Sequence, residues 1–415
     1  MKITLIHYAA PPIVGGVETV LAKQAEQFAL DGHEVNILAG RGENWNNNIK
    51  VKVVPLIDSR HPEILEIKKS LDQGLIPTSY ENVVHKLSQI LHQELDDCDK
   101  IIVHNIASLH KNLPLTDALY RYALSGAAHR IILWHHDFAW NSGRYQGELH
   151  PGYPWNLTRT TWPGVTQVVV SETRRRELIA LTGISSAEIH VIPAGIDLPV
   201  FLSLSPETTR LIRKLNLLTA NPLLLTPVRV TKRKNLELAI SIVAELMVHM
   251  PSAQLVITGP LGAHNPANQK YLENLLQHRA RLRLERAVHF IAEHLPEGLS
   301  EKQIAELYRL ADVLLLPSRE EGFGIPILEA GIGRLSIFCT DIPPLQALGG
   351  SWANYFTLEE PPAKIAKKIF AYLSNEPHYQ LRAHVRQHYT WEAIYQNQIV
   401  PLLKEKGKND TTKSV

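Results

Sequence analysis

The sequence predicts an α/β protein made of two doubly wound, parallel-sheet domains. At 415 residues the chain is too long for one ordinary hydrophobic core. Short apolar runs, which are typical of buried parallel strands, alternate with helical segments in both halves of the chain. One such run, residues 314–316, is followed by a glycine-rich turn and the start of a helix, which is the strand–helix unit of a parallel sheet.

Composition limits the kinds of partner and compartment that we expect. The chain is 45% hydrophobic and 20% charged, which is typical of a soluble globular protein. Its 43 basic and 41 acidic residues leave a net charge of +2, which argues against nucleic acid as a partner. No run is long enough to span a membrane or to form a signal peptide. Two distant cysteines fit reduced thiols, so we expect a cytoplasmic protein, with peripheral membrane docking and oligomeric state left open.

The first domain begins with a strand at residues 3–6, and the glycine pair Gly15-Gly16 precedes the first helix. Glycines at this point let the backbone approach a ligand at the carboxyl edge of the sheet, although a tight connection explains them equally well. Further strands are predicted at residues 34–38, 51–54 and 101–103, with a helical insertion between residues 58 and 97. The Asp97-Cys-Asp99 sequence lies at a helix end, so we interpret it as solvated and not as a metal site.

The next strand, residues 130–134, leads into His135, His136 and Asp137. A histidine at a strand end can donate a hydrogen bond to a ligand or stabilise developing charge, although a structural histidine is the commoner case. The aromatic segment that follows contains Tyr145 and Trp155. These rings suit either stacking on a ligand or covering the edge of the core.

In the second half, strands at residues 223–226, 255–258 and 288–291 precede the run at 314–316. Arg229 and Lys234 follow the first of these strands, at a turn into a helix. Both are well placed to neutralise a pyrophosphate, while the alternative is an ordinary solvated basic loop.

The segment after residues 314–316 contains the most informative motif. Residues 318–324 break the apolar run, and Pro326 is expected in the first turn of a helix, where its missing N–H costs nothing. Unpaired backbone N–H groups at such a helix start form a phosphate site. Glu321 precedes the turn, and Glu329, predicted in the first helical turn, suits the hydroxyls of a ribose. A strand-ending turn and a helix-dipole preference for glutamate are the alternatives.

The sequence Ser318-x-x-Glu-Gly-Phe-Gly-x-Pro-x-x-Glu329-Ala resembles the Glu-x7-Glu signature of retaining, nucleotide-sugar-dependent glycosyltransferases of family four, which have the GT-B fold. The resemblance extends along the chain, because other motifs of the family occur in the expected order. They are Gly15-Gly16 before Val17-Glu18, His136-Asp137, the crossover around Gly195 (where Ala194 replaces the usual Asn), Arg229 with Lys234, and the final Thr390-Trp391-Glu392.

The resemblance implies two Rossmann-like domains that face each other across a cleft. Residues 1–195 would form the acceptor side and residues 196–387 the nucleotide-sugar side. A C-terminal helix at residues 388–404 would cross back to the first domain, and residues 405–415 would be a disordered tail.

The implied reaction moves a hexosyl group from a nucleoside-diphosphate sugar, GDP-mannose or a UDP-hexose, to an acceptor hydroxyl with retention and without metal or other cofactor. The acceptor could be a small molecule, a glycan or a lipid-linked glycan. The resemblance assigns catalysis to His136, Arg229, Lys234 and Glu321, with His135 as the rival of His136. It assigns donor binding to Gly15, Gly16, Arg229, Lys234, Glu321, Gly322, Phe323, Gly324, Ile325 and Glu329, and the acceptor to Asp137, Tyr145 and Trp155.

Three other functions are compatible with the same fold. A sugar phosphorylase or a nucleotide-sugar epimerase would use phosphate or water in place of the acceptor. A non-catalytic nucleotide-sugar sensor would keep Arg229, Lys234 and Glu329 but could dispense with His136. The presence of all four residues favours an enzyme.

Overall fold

The computed structural model of the protein describes residues 1–260 and 267–405. Its contacts divide the chain into two compact units. Unit 1 comprises Met1–Gly195 and the chain from Trp391 onward, and unit 2 comprises Ile196–Thr390. The tail predicted to be disordered lies outside the described residues, apart from Glu405.

Unit 1 is built on a seven-stranded sheet in the order β3-β2-β1-β4-β5-β6-β7. All neighbouring strands are parallel, and the direction of winding reverses between β1 and β4. In doubly wound sheets ligands bind beyond the carboxyl ends of the strands at such a reversal. The strands are β1 Lys2–His7, β2 Glu34–Ala39, β3 Ile49–Val53, β4 Lys100–His104, β5 Ile131–His135, β6 Thr166–Val169 and β7 Ile189–Val191.

Helices cover both faces of this sheet, so its strands are buried as the apolar runs predicted. The predicted helical insertion forms two of them, α2 and α3, and α3 packs along α4. The helices of the first part of unit 1 are α1 Gly16–Leu30, α2 Pro62–Leu71, α3 Ser79–Leu95, α4 Leu113–Tyr122 and α5 Glu172–Thr182.

Unit 2 contains a six-stranded sheet in the order β10-β9-β8-β11-β12-β13, again parallel throughout. The reversal falls between β8 and β11. The strands are β8 Leu223–Thr226, β9 Gln254–Ile257, β10 Val288–Phe290, β11 Val313–Leu316, β12 Ser336–Thr340 and β13 Asn354–Phe356. The helices are α6 Leu198–Phe201, α7 Pro206–Lys214, α8 Leu236–His249, α9 Ala267–Arg281, α10 Glu301–Leu310, α11 Ile325–Gly333, α12 Pro343–Gly349, α13 Pro362–Leu373 and α14 Pro377–His388.

The last described segment, residues 391–405, packs within unit 1. It forms α15 Trp391–Ile394, a π-helical turn at Tyr395–Ile399 and α16 Val400–Lys404. The Tyr395 hydroxyl donates to the carboxylate of Asp31 at 2.7 Å, and its ring lies against Phe28. The two sheets confirm the predicted fold class of an α/β protein with two doubly wound domains.

Candidate active site

The turn between β11 and α11 has the predicted strand–turn–helix form. β11 is completely buried, and α11 begins at Ile325 with Pro326 in its first turn. Gly324 caps the helix in the left-handed region, with φ of 102°, and a Cβ atom there would lie 2.8 Å from a methyl carbon of Leu345. Glycine is therefore needed at this position, because an L-residue would be strained in both backbone and packing. The backbone N–H groups at this helix start suit an anionic ligand.

The loops after β8 and β11 meet because these strands are neighbours in the sheet. Lys234 lies on a short 3₁₀ turn, Lys232–Lys234, and its ammonium is 2.6 Å from a carboxylate oxygen of Glu321. The Ser318 hydroxyl donates to the same oxygen at 2.7 Å. The two charged side chains are only 9% and 7% exposed. The structure thus joins two predicted site residues in a nearly buried ion pair, and Lys234 keeps N–H donors for a ligand because an ammonium has three.

Backbone contacts fix the basic loop against this turn. The backbone N–H of Arg319 donates to the carbonyl of Arg233 at 2.8 Å. The guanidinium of Arg319 donates to the side-chain oxygen of Asn235 at 2.9 Å. Gly259 lies under the loop, since a Cβ atom there would be 2.0 Å from the Val228 carbonyl oxygen. Arg229 is exposed, and its guanidinium forms no ion pair with the described residues.

Glu329 lies in the second turn of α11, so the prediction that placed it in the first turn is wrong. Helix-dipole stabilisation, which fades beyond the first turn, therefore does not account for this residue. Its carboxylate instead accepts a hydrogen bond of 2.6 Å from the hydroxyl of Tyr308 on α10, and burial raises the pKa of that phenol. Sequence reasoning missed Tyr308. The other predicted donor-side residues, Gly322, Phe323 and Ile325, are exposed on the same turn.

In unit 1, Gly15 and Gly16 lie at the start of α1. A Cβ atom on Gly15 would lie 2.2 Å from a carboxylate oxygen of Glu18, which folds back over the helix start. The His7 ring, 3.7 Å away, lowers the pKa of Glu18. A carboxylate beside these N–H groups competes with any phosphate, so phosphate binding here requires the Glu18 side chain to move. The sequence placed Glu18 in the same motif as the glycines but assigned it no role.

His136 and His135 follow β5 but have different surroundings. His135 is buried, its Nε2 lies 2.8 Å from the side-chain oxygen of Gln167, and burial lowers its pKa to about 4. His136 is half-buried, and its backbone N–H donates to the Asn105 side chain at 2.7 Å. Burial, aided by neighbouring histidines, lowers the pKa of His136 to about 3. Since the ring of His135 is held by Gln167 inside the fold, the geometry favours His136 as the residue that can contact a ligand.

The three predicted acceptor residues are placed differently from one another. Asp137 forms an ion pair of 3.1 Å with Arg174 at the start of α5. Tyr145 is half-buried, with the Arg144 guanidinium 4.4 Å from its ring centre. Trp155 is only 3% exposed and belongs to the core of unit 1, so its expected role in stacking on an acceptor does not fit the structure. Its ring covers the core edge, which is the alternative that the sequence left open.

A basic group lies near Tyr145. Lys111 follows β4, is half-buried, and forms no ion pair with the described residues. Burial is the main cause that lowers its pKa; the positive charges of Arg144 and Arg60 lower it further, and the carboxylates of Glu18 and Asp137 oppose them. The loops that carry Lys111 and Arg60 are joined because Asn112 donates hydrogen bonds to carbonyls of residues 56 and 57. Unpaired positive charges at the carboxyl edge of the sheet favour an anionic ligand.

Among the described residues, the side chains of Asp72, His110 and Glu148 are close enough together to hold a metal ion. The ammonium of Lys68, however, lies 2.7 Å from each of the two carboxylates. A positive charge already neutralises this group, which we interpret as structural. Within residues 1–260 and 267–405, none of the helices has both the length and the apolar character of a membrane span.

Comparison with known proteins gives a family match in each of the two units. Residues 14–199 match the model of Glycosyltransferase Family 4, and residues 207–388 match that of Glycosyl transferases group 1. The mannosylglucosylglycerate synthase of Thermotoga maritima is 25% identical over 381 residues, which are 83% of each chain. A D-inositol 3-phosphate glycosyltransferase of Xylanimonas cellulosilytica is 30% identical over 42% of this chain and 43% of its own. A solved glycosyltransferase from Rickettsia africae aligns over 98% and 99% of the two chains, with 16% identity and a TM-score of 0.37.

The matches in both units define the class of the protein, which is a glycosyltransferase enzyme. The chain belongs to the group 1 glycosyltransferases of family four, as the Glu-x7-Glu resemblance predicted, and its two Rossmann-like domains are those of the GT-B fold.

Proposed function

We propose that the protein transfers a hexosyl group from a nucleoside-diphosphate sugar to an acceptor hydroxyl, with retention at the anomeric carbon. The observation that carries this proposal is the Lys234–Glu321 pair, which lies beside the Gly324 helix start on the carboxyl edge of the unit 2 sheet. An ammonium with unused donors, an exposed arginine on the same loop and a helix N-terminus form a suitable surface for a diphosphate.

In this reaction the bond between the anomeric carbon and the β-phosphate oxygen breaks, and a bond to the acceptor oxygen forms. The acceptor proton leaves with the nucleoside diphosphate, so no external acid is consumed. Arg229 and Lys234 would stabilise the negative charge that grows on the leaving oxygen, and such preorganised contacts contribute most in the transition state. Glu329, oriented by Tyr308, would accept hydrogen bonds from the ribose.

Retention through an enzyme-bound sugar would need a free carboxylate nucleophile. Glu321 does not fit that role, because Lys234 and Ser318 both bind the same carboxylate oxygen. This arrangement supports attack of the acceptor on the same face from which the diphosphate leaves. The two positive side chains also replace the charge that a divalent ion would supply, so we propose a metal-independent reaction.

The names of two relatives and the basic side chains of unit 1 reduce the number of candidate donors and acceptors. The mannosyl product in the name of the Thermotoga relative makes GDP-mannose the first donor to test, with UDP-hexoses second. Both relatives bear the name of an anionic compound, a glycerate in one case and an inositol phosphate in the other. Lys111 forms no ion pair with the described residues, and three basic side chains (Lys111, Arg144 and Arg60) lie in a group that also feels the two carboxylates of Glu18 and Asp137. This excess of positive charge supports an acceptor that carries a carboxylate or a phosphate.

The test has two stages. A thermal-shift panel of nucleoside diphosphates and their sugars identifies the base, because a ligand that binds only the folded state raises the melting temperature. Product formation is then measured with the stabilising donor and a set of anionic and neutral acceptors, with and without EDTA. Anomeric retention is read from the NMR spectrum of the product.

Each alternative function predicts a different outcome in these assays. A sensor would show stabilisation by a nucleotide sugar without product. A phosphorylase would require inorganic phosphate, and an epimerase would convert the donor in the absence of an acceptor. Turnover that disappears in EDTA and returns with Mn²⁺ or Mg²⁺ would contradict the metal-independent mechanism.

A further inference from the structure

Three neighbouring strands of unit 1, β1, β4 and β5, each end in a histidine. Two of these residues are linked to His136, which follows β5. The Nδ1 atom of His7 lies 3.0 Å from the carbonyl oxygen of His104. The Nδ1 atom of His104 lies 3.1 Å from Nε2 of His136. The first contact must be a donation from His7, because a carbonyl oxygen only accepts.

The contact between His104 and His136 allows two proton arrangements. Either His104 donates from Nδ1 and leaves its Nε2 as a bare lone pair, or His136 donates and the proton of His104 sits on Nε2. The ring of His104 is completely buried, and its Nε2 has no hydrogen-bond partner among the described residues. The arrangements therefore differ in whether a buried acceptor or a buried N–H donor is left unpaired.

A buried N–H group without an acceptor is rarer in proteins than a buried acceptor without a donor. The face of the neighbouring Trp134 ring could in principle accept a hydrogen bond from an N–H at Nε2 of His104, but the geometry does not allow it. The indole plane is tilted by only 33° from that of His104 at a centroid distance of 5.8 Å, so an N–H in the imidazole plane does not point at the indole face. The favoured arrangement has the proton of His104 on Nδ1, shared with Nε2 of His136.

We propose that His104 is a positioning residue that holds His136 as the neutral Nδ1–H tautomer, so that His136 donates a hydrogen bond to a substrate oxygen and does not act as a base. This inference rests on the proposed function for the identity of the substrate. With Nε2 occupied by His104, the only remaining polar atom of the His136 ring is Nδ1, which has no hydrogen-bond partner among the described residues.

Two further features support this role. The backbone N–H groups of His136 and Asp137 both donate to the side chain of Asn105, at 2.7 and 3.3 Å, which fixes the position of the loop. Burial is the main cause that lowers the pKa values of both His104 and His136, that of His136 to about 3. His7 and His135 lower the pKa of His136 further, and Glu18 opposes them, so the ring is neutral at physiological pH.

The test is a long-range ¹H–¹⁵N NMR spectrum of the full-length protein labelled with ¹⁵N-histidine, which distinguishes the two tautomers by their nitrogen shifts. The signals of His136 are assigned by their loss in His136→Gln. We expect a protonated Nδ1 and an unprotonated Nε2 in the wild type. A wild-type spectrum with the proton on Nε2 would overturn the proposal.

Substitutions then test whether His104 is the cause. His104→Leu removes the donor, and we expect a mixture of His136 tautomers and a loss of turnover of roughly five- to tenfold, as for one hydrogen bond. His104→Asn keeps an N–H near the position of Nδ1 and is expected to restore the wild-type tautomer and most of the turnover. His289, a buried histidine on β10 that contacts Gln254 at 3.1 Å, provides the matched control as His289→Leu.

Outcomes for this inference and for the proposed function are separable. An unchanged His136 tautomer in His104→Leu, or the same change in His289→Leu, would overturn the positioning role. If His104→Leu does not fold, the wild-type and His104→Asn spectra still decide the tautomer. The expected spectra in a protein that turns over no nucleotide sugar would support the tautomer and refute the proposed function.

Discussion

The ammonium of Lys234 and the carboxylate of Glu321 lie 2.6 Å apart, and both side chains are more than nine-tenths buried. The loops that carry them follow adjacent strands, β8 and β11, so the pair joins two segments that are 87 positions apart in the sequence. It is therefore part of the fold of unit 2 as well as of the proposed donor site.

Lys234→Ala is expected to lower both stability and turnover. Removing one partner of a buried ion pair leaves an uncompensated charge and typically costs about 3–5 kcal/mol. From the sequence alone we would expect little change in stability, because the residue lies in a basic loop. Urea denaturation measures the loss, and the double variant Lys234→Met with Glu321→Gln should recover much of it without restoring turnover. An unchanged denaturation midpoint in Lys234→Ala would contradict the buried pair.

Arg229→Ala is expected to affect turnover alone. The side chain is exposed, so its removal should change stability by less than about 0.5 kcal/mol. Loss of a contact that strengthens in the transition state should lower turnover at saturating donor by about a hundred- to a thousandfold. Steady-state kinetics are compared with those of Arg233→Ala, an exposed arginine of the same loop. Equal effects in the two variants would remove the specific role of Arg229.

Tyr308→Phe is expected to weaken nucleotide binding indirectly, through its effect on Glu329. The phenol donates to Glu329 at 2.6 Å, and without it the carboxylate is no longer held in one orientation. We expect a loss of affinity of about three- to tenfold by calorimetry, the size of one hydrogen bond. Glu329→Ala should lose at least as much, and adding Tyr308→Phe to it should have little further effect. Additive losses would show that the two residues act separately.

Gly324→Ala and Gly322→Ala are expected to separate folding from binding. At Gly324 the positive φ and the 2.8 Å contact with Leu345 should destabilise unit 2 by more than about 1 kcal/mol. At Gly322 a Cβ atom would meet nothing within 4 Å, so the melting temperature should not change. If a phosphate contacts this turn, the added Cβ atom of Gly322→Ala would crowd it, so we expect a lower nucleotide affinity with an unchanged melting temperature. Full affinity in that variant would place the phosphate elsewhere.

Lys111→Ala is expected to raise the KM for an anionic acceptor and to leave that for the donor unchanged. A hydrogen bond to a charged group is worth about 1.5–3 kcal/mol, so the change should be about ten- to a hundredfold. The control is Lys50→Ala. Lys50 lies at the amino end of β3, the edge strand of the unit 1 sheet, and its side chain is 81% exposed. For a neutral analogue of the acceptor, the wild type and Lys111→Ala should have the same KM. An equal rise in KM for the neutral and the anionic acceptor would contradict a charge-specific role.

The sequence predicts well those features that depend on local pattern. The apolar runs identified the strands, and the glycine turn followed by Pro326 identified the start of α11. The residues that orient the site were not predictable in this way. Tyr308 meets Glu329 from another helix, and Trp155 is buried by packing that no local pattern shows.

One signal in the sequence could have revealed the histidine contacts. His7, His104 and His135 each directly follow a predicted strand of the first sheet, and parallel strands bring such positions to one edge. The strand order that makes β4 the neighbour of both β1 and β5 is needed to see that His104 touches the loop after His135. Because that order is a property of the whole domain, spacing along the chain does not supply it.

The crossover at Gly195 has a consequence for how the gene could be rearranged. A Cβ atom on Gly195 would lie 2.8 Å from the ring of Trp391, and Ile196 is bridged to Thr390, so the chain leaves unit 1 and re-enters it at nearly one point. Unit 2 is thus an insertion whose two ends lie side by side. A short glycine linker from residue 195 to residue 391 would close the gap at a small entropic cost, which grows only slowly with loop length. Excision of the insert would yield a continuous polypeptide for unit 1, and circularly permuted unit 2 could be produced separately.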